Sequence, residues 1–117
     1  MTKRTDEMYL ADMLQYAREA RALTAGETET SFVANRTLQL ALTYLVRIVG
    51  EAATQMSNEA RAALPDLPWA RMRGMRHRLV HNYGRVGYDL VWDVIENDLP
   101  LLITALEKVT PPEPPSA

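Results

Sequence analysis

Three side chains capable of phosphate chemistry fall together in the stretch Arg76-His77-Arg78-Leu79-Val80-His81-Asn82-Tyr83. The Arg76 guanidinium offers donors in a fixed fork and stays charged, so it can hold a phosphate and the extra charge of a phosphoryl transition state. Histidine, with an ordinary pKa of about 6.5, accepts or donates a proton near neutral pH, and His81 is placed to do so. These two groups suffice for RNA cleavage without a metal. A base removes the 2′-hydroxyl proton, the oxygen attacks the neighbouring phosphorus, a cation stabilises the phosphorane, and an acid protonates the leaving 5′-oxygen. His81 alone supplies one of the two proton transfers. A symmetric dimer, presenting the motif twice, supplies both.

The surroundings strengthen the reading. Residues 67–88 carry five arginines (Arg71, Arg73, Arg76, Arg78 and Arg85) and both histidines, with no carboxylate. The acids lie on either side, in residues 6–66 and 89–113, and the formal net charge is −2. A coat for nucleic acid needs a basic surface, because such binding is largely counterion release. A local cationic site on an acidic body suits a specific anionic ligand instead. Arg73, Arg78 and Arg85 are the candidate RNA-binding residues around the Arg76–His81 pair.

Helix geometry constrains the pair. Positions five apart lie roughly 140° around a helix axis, whereas positions seven apart nearly coincide. Arg76 therefore shares a face with Tyr83, and Arg73 with both, while His81 points elsewhere. Convergence requires the helix to end or distort near Val80, for which Asn82 and Gly84 are stop signals, or requires a partner chain.

The same residues admit plainer readings. The cluster can be a solvated helix terminus, with His81 satisfying orphan carbonyls and favouring the dipole. His77 and His81, four apart, can place two imidazoles on one metal, but no third ligand stands out and no metal is expected. Glu51 is an acid near or in the core that can pair with an arginine of the motif helix. Trp69 and Trp92 read as packing, with base stacking as the alternative.

The elements that must position these groups are helices. Leu10, Met13, Leu14, Ala17 and Ala20 form one stripe on a helix over residues 6–23, with acids in its first turn and Gly26 as its stop. Leu38, Ala41, Leu42, Leu45, Ile48, Val49, Ala52 and Met56 mark a long central helix over residues 31–56. A short helical turn over 59–63 precedes the proline-bearing 64–68. Pro68 then fits the first turn of a helix reaching about residue 80 or 81. A further helix starts near Asp89, and Pro100 either kinks it or opens a fifth one reaching about residue 109. The expected fold is all-α, an antiparallel bundle of four to five helices in one domain over residues 1–110. The Pro-rich 111–117 cannot continue a helix and reads as a disordered tail.

At 117 residues the chain is one domain, and its 47% hydrophobic and 24% charged content is ordinary for a globular protein. The absence of cysteine excludes disulfides, thiolate nucleophiles and thiolate metal sites. No apolar run marks a signal peptide or a membrane span, so a cytoplasmic protein with no membrane partner is expected.

The motif Arg76-x4-His81-x-Tyr83 resembles the signature of the HepT-like toxins within the HEPN superfamily of small all-helical ribonucleases. Gly50-Glu51-Ala52, Leu67-Pro68-Trp69, Val91-Trp92-Asp93 and Asn97-Asp98-Leu99-Pro100 support the likeness in the expected order. The resemblance implies a homodimeric bundle whose two motifs face each other, with Arg76 and His81 as the catalytic pair of a metal-independent endoribonuclease that uses no cofactor. It also implies the toxin half of a type VII toxin–antitoxin system. Its partner would be an MntA-like nucleotidyltransferase antitoxin that silences it by AMPylation of Tyr83, placing bulk and negative charge where RNA phosphate must bind. Many such proteins carry asparagine after the motif arginine, where this chain has His77. The alternative is a non-catalytic helical subunit that binds a nucleotide or the transferase through the arginine block.

Overall fold

A computed structural model describes residues 5–81 and 87–110, with the backbone alone given for Met75 and residues 78–81. Seven α-helices make up the described chain: α1 (Asp6–Leu23), α2 (Glu29–Val33), α3 (Arg36–Gln55), α4 (Asn58–Ala63), α5 (Trp69–His81), α6 (Tyr88–Asp93) and α7 (Leu99–Val109). A π-helical turn, Val94–Asp98, joins α6 to α7. No strand occurs among the described residues, in agreement with the all-α expectation.

Helices α1 to α4 each begin at a residue whose side chain caps them: Thr5, Thr28, Asn35 and Ser57. The Thr5 hydroxyl accepts from the Met8 N–H, and Asp6 and Glu7 occupy the positive end of α1. Gly26, at φ +80°, makes the left-handed turn that follows α1, a conformation glycine adopts without steric cost. All five residues of the expected α1 stripe are buried.

The long central helix is shorter than expected at its start. Thr28 and Ser31 form a reciprocal capping box that begins the separate five-residue α2. Asn35 then accepts from the Leu38 N–H and restarts the chain as α3. The break seats Phe32 entirely inside the core, stacked on Trp92 at 5.5 Å and edge-on to Tyr88 at 6.0 Å. On α3, Ala41 and Ile48 are half-buried, whereas Val46 and Ala53, outside the expected stripe, are buried.

Pro100 stands in the first turn of α7, which reaches Val109 as expected, but α7 is not detached from what precedes it. Helical structure runs without interruption from Tyr88 to Val109, and the Leu99 N–H reaches back five residues to the Val94 carbonyl. Proline offers no N–H and its ring crowds the carbonyl four residues back. One widened turn absorbs that conflict, as π-bulges do.

The core lies among α1, α3 and α7, with Met13, Leu42, Val46, Val49, Leu99 and Leu106 fully enclosed. Asp6 on α1 accepts from both the N–H and the hydroxyl of Ser57, at 2.9 and 2.7 Å, tying the start of α1 to the connection after α3. Among the described residues no helix is long and apolar enough to cross a membrane.

Candidate active site

The motif helix α5 is anchored at its N-terminal end and presents polar groups beyond it. Leu67 and Met72 are buried, and the Trp69 indole N–H donates to the Leu64 carbonyl at 2.9 Å. Pro68 stands immediately before the helix, where its missing N–H costs nothing, and its carbonyl accepts from the Met72 N–H.

Gly50 on α3 sets how near α5 can come. A Cβ there would stand 2.9 Å from the Arg76 Cβ and 3.5 Å from both the Arg76 Cα and the Met72 carbonyl oxygen. Any side chain at position 50 would therefore push against the backbone of the motif helix at the residue that carries the charge.

Above this close contact lies a shallow groove of about 440 Å³ lined by Thr54, Ala70, Arg73, Gly74, Arg76 and His77. Arg73 and His77 are exposed, and Arg76 is half-buried. The Arg76 Nε is buried and has no hydrogen-bond partner among the described residues. A buried donor left unmade costs about 1–3 kcal/mol, more when it is charged. The Arg76 side chain thus lines the groove while its buried Nε keeps a donor unmade among the described residues. Arg71, on the same helix, differs: it is paired with Asp98 of the π turn at 2.9 Å. Among the described residues neither Arg73 nor Arg76 forms an ion pair, so positive charge is concentrated on the groove side.

The sequence over residues 13–109 matches the family model described as Ribonuclease HepT-like. The chain belongs to that family. It is similar to a candidate RNase of Methanocaldococcus jannaschii, with 30% identity covering 93% of this chain and 100% of that protein. A second candidate RNase of the same organism is 28% identical, covering 93% of this chain and 90% of its own. A candidate ribonuclease HepT of Thermococcus cleftensis is 28% identical, covering 92% of this chain and 97% of its own. No solved structure matches the chain.

Within this HepT-like chain the structure brings together Arg73 and Arg76 and adds His77, which sequence reasoning considered only as a metal ligand or as a replacement for asparagine. Thr54, on α3, also lines the groove; nothing in the sequence near the motif points to it. Arg78 and His81 lie on α5, but their side chains fall outside the described residues, as do Tyr83 and Arg85 altogether. The stop at Asn82 and Gly84 and the tail over 111–117 also lie outside them. One expectation is met and one changes. Helix α5 ends at His81, where the sequence placed its end. Glu51 is half-buried, near the core as expected, but among the described residues its carboxylate pairs with Arg47 on its own helix at 3.1 Å and not with the motif helix. Trp69 and Trp92 pack against the core, as expected.

Proposed function

We propose that this HepT-like protein is a metal-independent endoribonuclease in which Arg76 stabilises the phosphorane and His81 transfers a proton, with Arg73, Arg78 and Arg85 holding the RNA backbone. The observation that carries this reading is Arg76, whose Cα and Cβ lie close against Gly50 and whose Nε has no partner among the described residues, on a groove it shares with Arg73 and His77. Family membership and the relatives' names support RNA as the substrate.

The pair works across two copies of the chain. Positions 76 and 81 on one uninterrupted helix are separated by roughly 140° around the axis. A surface suited to a second copy adjoins the groove. Leu40 and Tyr44 on α3 are 56% and 60% exposed, one turn apart. Their face continues along α3 through the Arg47–Glu51 pair to Thr54 in the groove. A second copy packed on that face would bring its own motif helix to the first. Tyr83 is the modification site, where AMP added by an MntA-like nucleotidyltransferase antitoxin blocks the RNA phosphate by charge and bulk. This makes the protein the toxin of a type VII toxin–antitoxin pair.

Complementation tests the arrangement. Arg76→Ala and His81→Ala should each be inactive alone. Mixed and refolded together, they should recover part of the wild-type rate, because a site shared between chains has one intact copy in the mixed dimer. Two inactive parents with an inactive mixture would place both groups in one chain. Cleavage surviving both substitutions would remove the reading. Mass spectrometry after incubation with the transferase and ATP should show AMP increments that vanish in Tyr83→Phe.

A further inference from the structure

The groove contains an imidazole that the Arg76–His81 pairing leaves without a role. His77 is exposed and lines the same groove as Arg73, Arg76 and Thr54. Around the α5 axis, position 77 lies roughly 100° from position 76 and roughly 40° from position 81, so it stands between the two. One helical turn separates it from Arg73 on one side and from position 81 on the other. Cleavage through the 2′-hydroxyl needs two proton transfers, and the chain holds two histidines. Positive charge is already supplied by the guanidinium groups of Arg73 and Arg76. What these arginines cannot supply is a group that gives and takes protons near neutrality, and an imidazole does both.

We infer that His77 is the second proton-transfer group of this site, acting with His81; this rests on the ribonuclease reading above. One imidazole takes the proton from the 2′-hydroxyl as O2′ forms its bond to phosphorus. Arg76 holds the charge that gathers on the non-bridging oxygens. The bond from phosphorus to O5′ then breaks, and the other imidazole, in its protonated form, donates to O5′. The products are a 2′,3′-cyclic phosphate and a 5′-hydroxyl. The proton lost by O2′ is matched by the proton gained by O5′, so no co-reactant is consumed. The two imidazoles end with their protonation states exchanged and are reset by solvent.

The test compares wild type, His77→Asn and His81→Ala on an RNA mapped for its cleavage site and on the same RNA with sulfur replacing O5′ at that bond. A sulfur leaving group departs without needing a proton. His77→Asn, an exposed and near-isosteric change, should slow cleavage of the normal RNA by about 100-fold or more. Its affinity for an uncleavable 2′-deoxy analogue should be unchanged. The sulfur substrate should restore the rate of one of the two histidine variants and not the other, the restored one marking the acid. Cleavage by His77→Asn at the wild-type rate, beside an inactive His81→Ala, would overturn the role of His77 and leave the ribonuclease reading standing. So would a loss of affinity as large as the loss of rate, or sulfur rescue of both variants or of neither. A wild-type protein that cleaves neither substrate would overturn the ribonuclease reading itself.

Discussion

Helix α3 packs against α1 and against α5 by opposite means. Toward the core it contributes Leu38, Leu42, Leu45, Val46, Val49, Ala52 and Ala53 to a cluster that also takes in Leu10, Met13, Leu14, Ala17 and Ala20 of α1. From α5 the same cluster receives Met72 alone among the buried side chains described, with Trp69 packed at its edge. At Gly50, where α3 has no side chain, the backbone of α5 comes close enough that an added Cβ would stand 2.9 Å from the Arg76 Cβ. Dense apolar interlocking suits the part that must stay folded. A helix held by backbone proximity and one anchored end can turn a row of cations to the solvent. Stability and chemistry are therefore assigned to different contacts of one helix.

Substitutions at the two contacts should separate accordingly. The largest loss of stability is expected from Leu42→Ala, which empties a fully buried position. It should cost about 2–5 kcal/mol in denaturant unfolding, while the RNA cleavage rate of the folded fraction stays near wild type. Arg76→Ala should do the reverse. Cleavage should fall by about 10²–10³-fold, the range for removing one charge-stabilising donor. Stability should not fall, because alanine keeps the Cβ that faces Gly50 and removes an unsatisfied buried Nε. Equal effects of these two variants on both properties would break the comparison.

Gly50→Ala sharpens it by touching both sides at once. Its added methyl, 2.9 Å from the Arg76 Cβ, should cost about 1–3 kcal/mol through overpacking. It should also lower cleavage, because relief comes from displacing Arg76. The smallest effect is expected at the Arg71–Asp98 pair, whose arginine is 63% exposed. Arg71→Gln should change stability by no more than about 1 kcal/mol, with a salt-sensitive part, and leave cleavage unaltered.

The sequence made some of this arrangement readable and withheld the rest for physical reasons. The α1 stripe was readable because Leu10, Met13, Leu14, Ala17 and Ala20 follow the helical period and acids mark its start. The break before α3 was not, because the apolar pattern alone does not register an Asn35 side chain that caps Leu38. Pro100 announced a disturbance, but whether a helix kinks, stops or widens there depends on packing around the turn. At the site, Arg73 and Arg76 stood out because residues 67–88 hold no acid. The place of Thr54 and the function of Gly50 did not, since both depend on α3 lying against α5. Glu51 read as a partner for an arginine of the motif helix, yet Arg47, one turn earlier on α3, takes its carboxylate at 3.1 Å.

The central claim is that the groove around Arg76 cleaves RNA by internal attack of the 2′-hydroxyl. The most direct measurement is the end-group analysis of RNA incubated with the purified protein in excess EDTA. Fragments bearing 2′,3′-cyclic phosphate and 5′-hydroxyl ends, formed by wild type and lost with Arg76→Ala, are the predicted result. RNA left intact by wild type, or cleaved to 5′-phosphate ends, would contradict it.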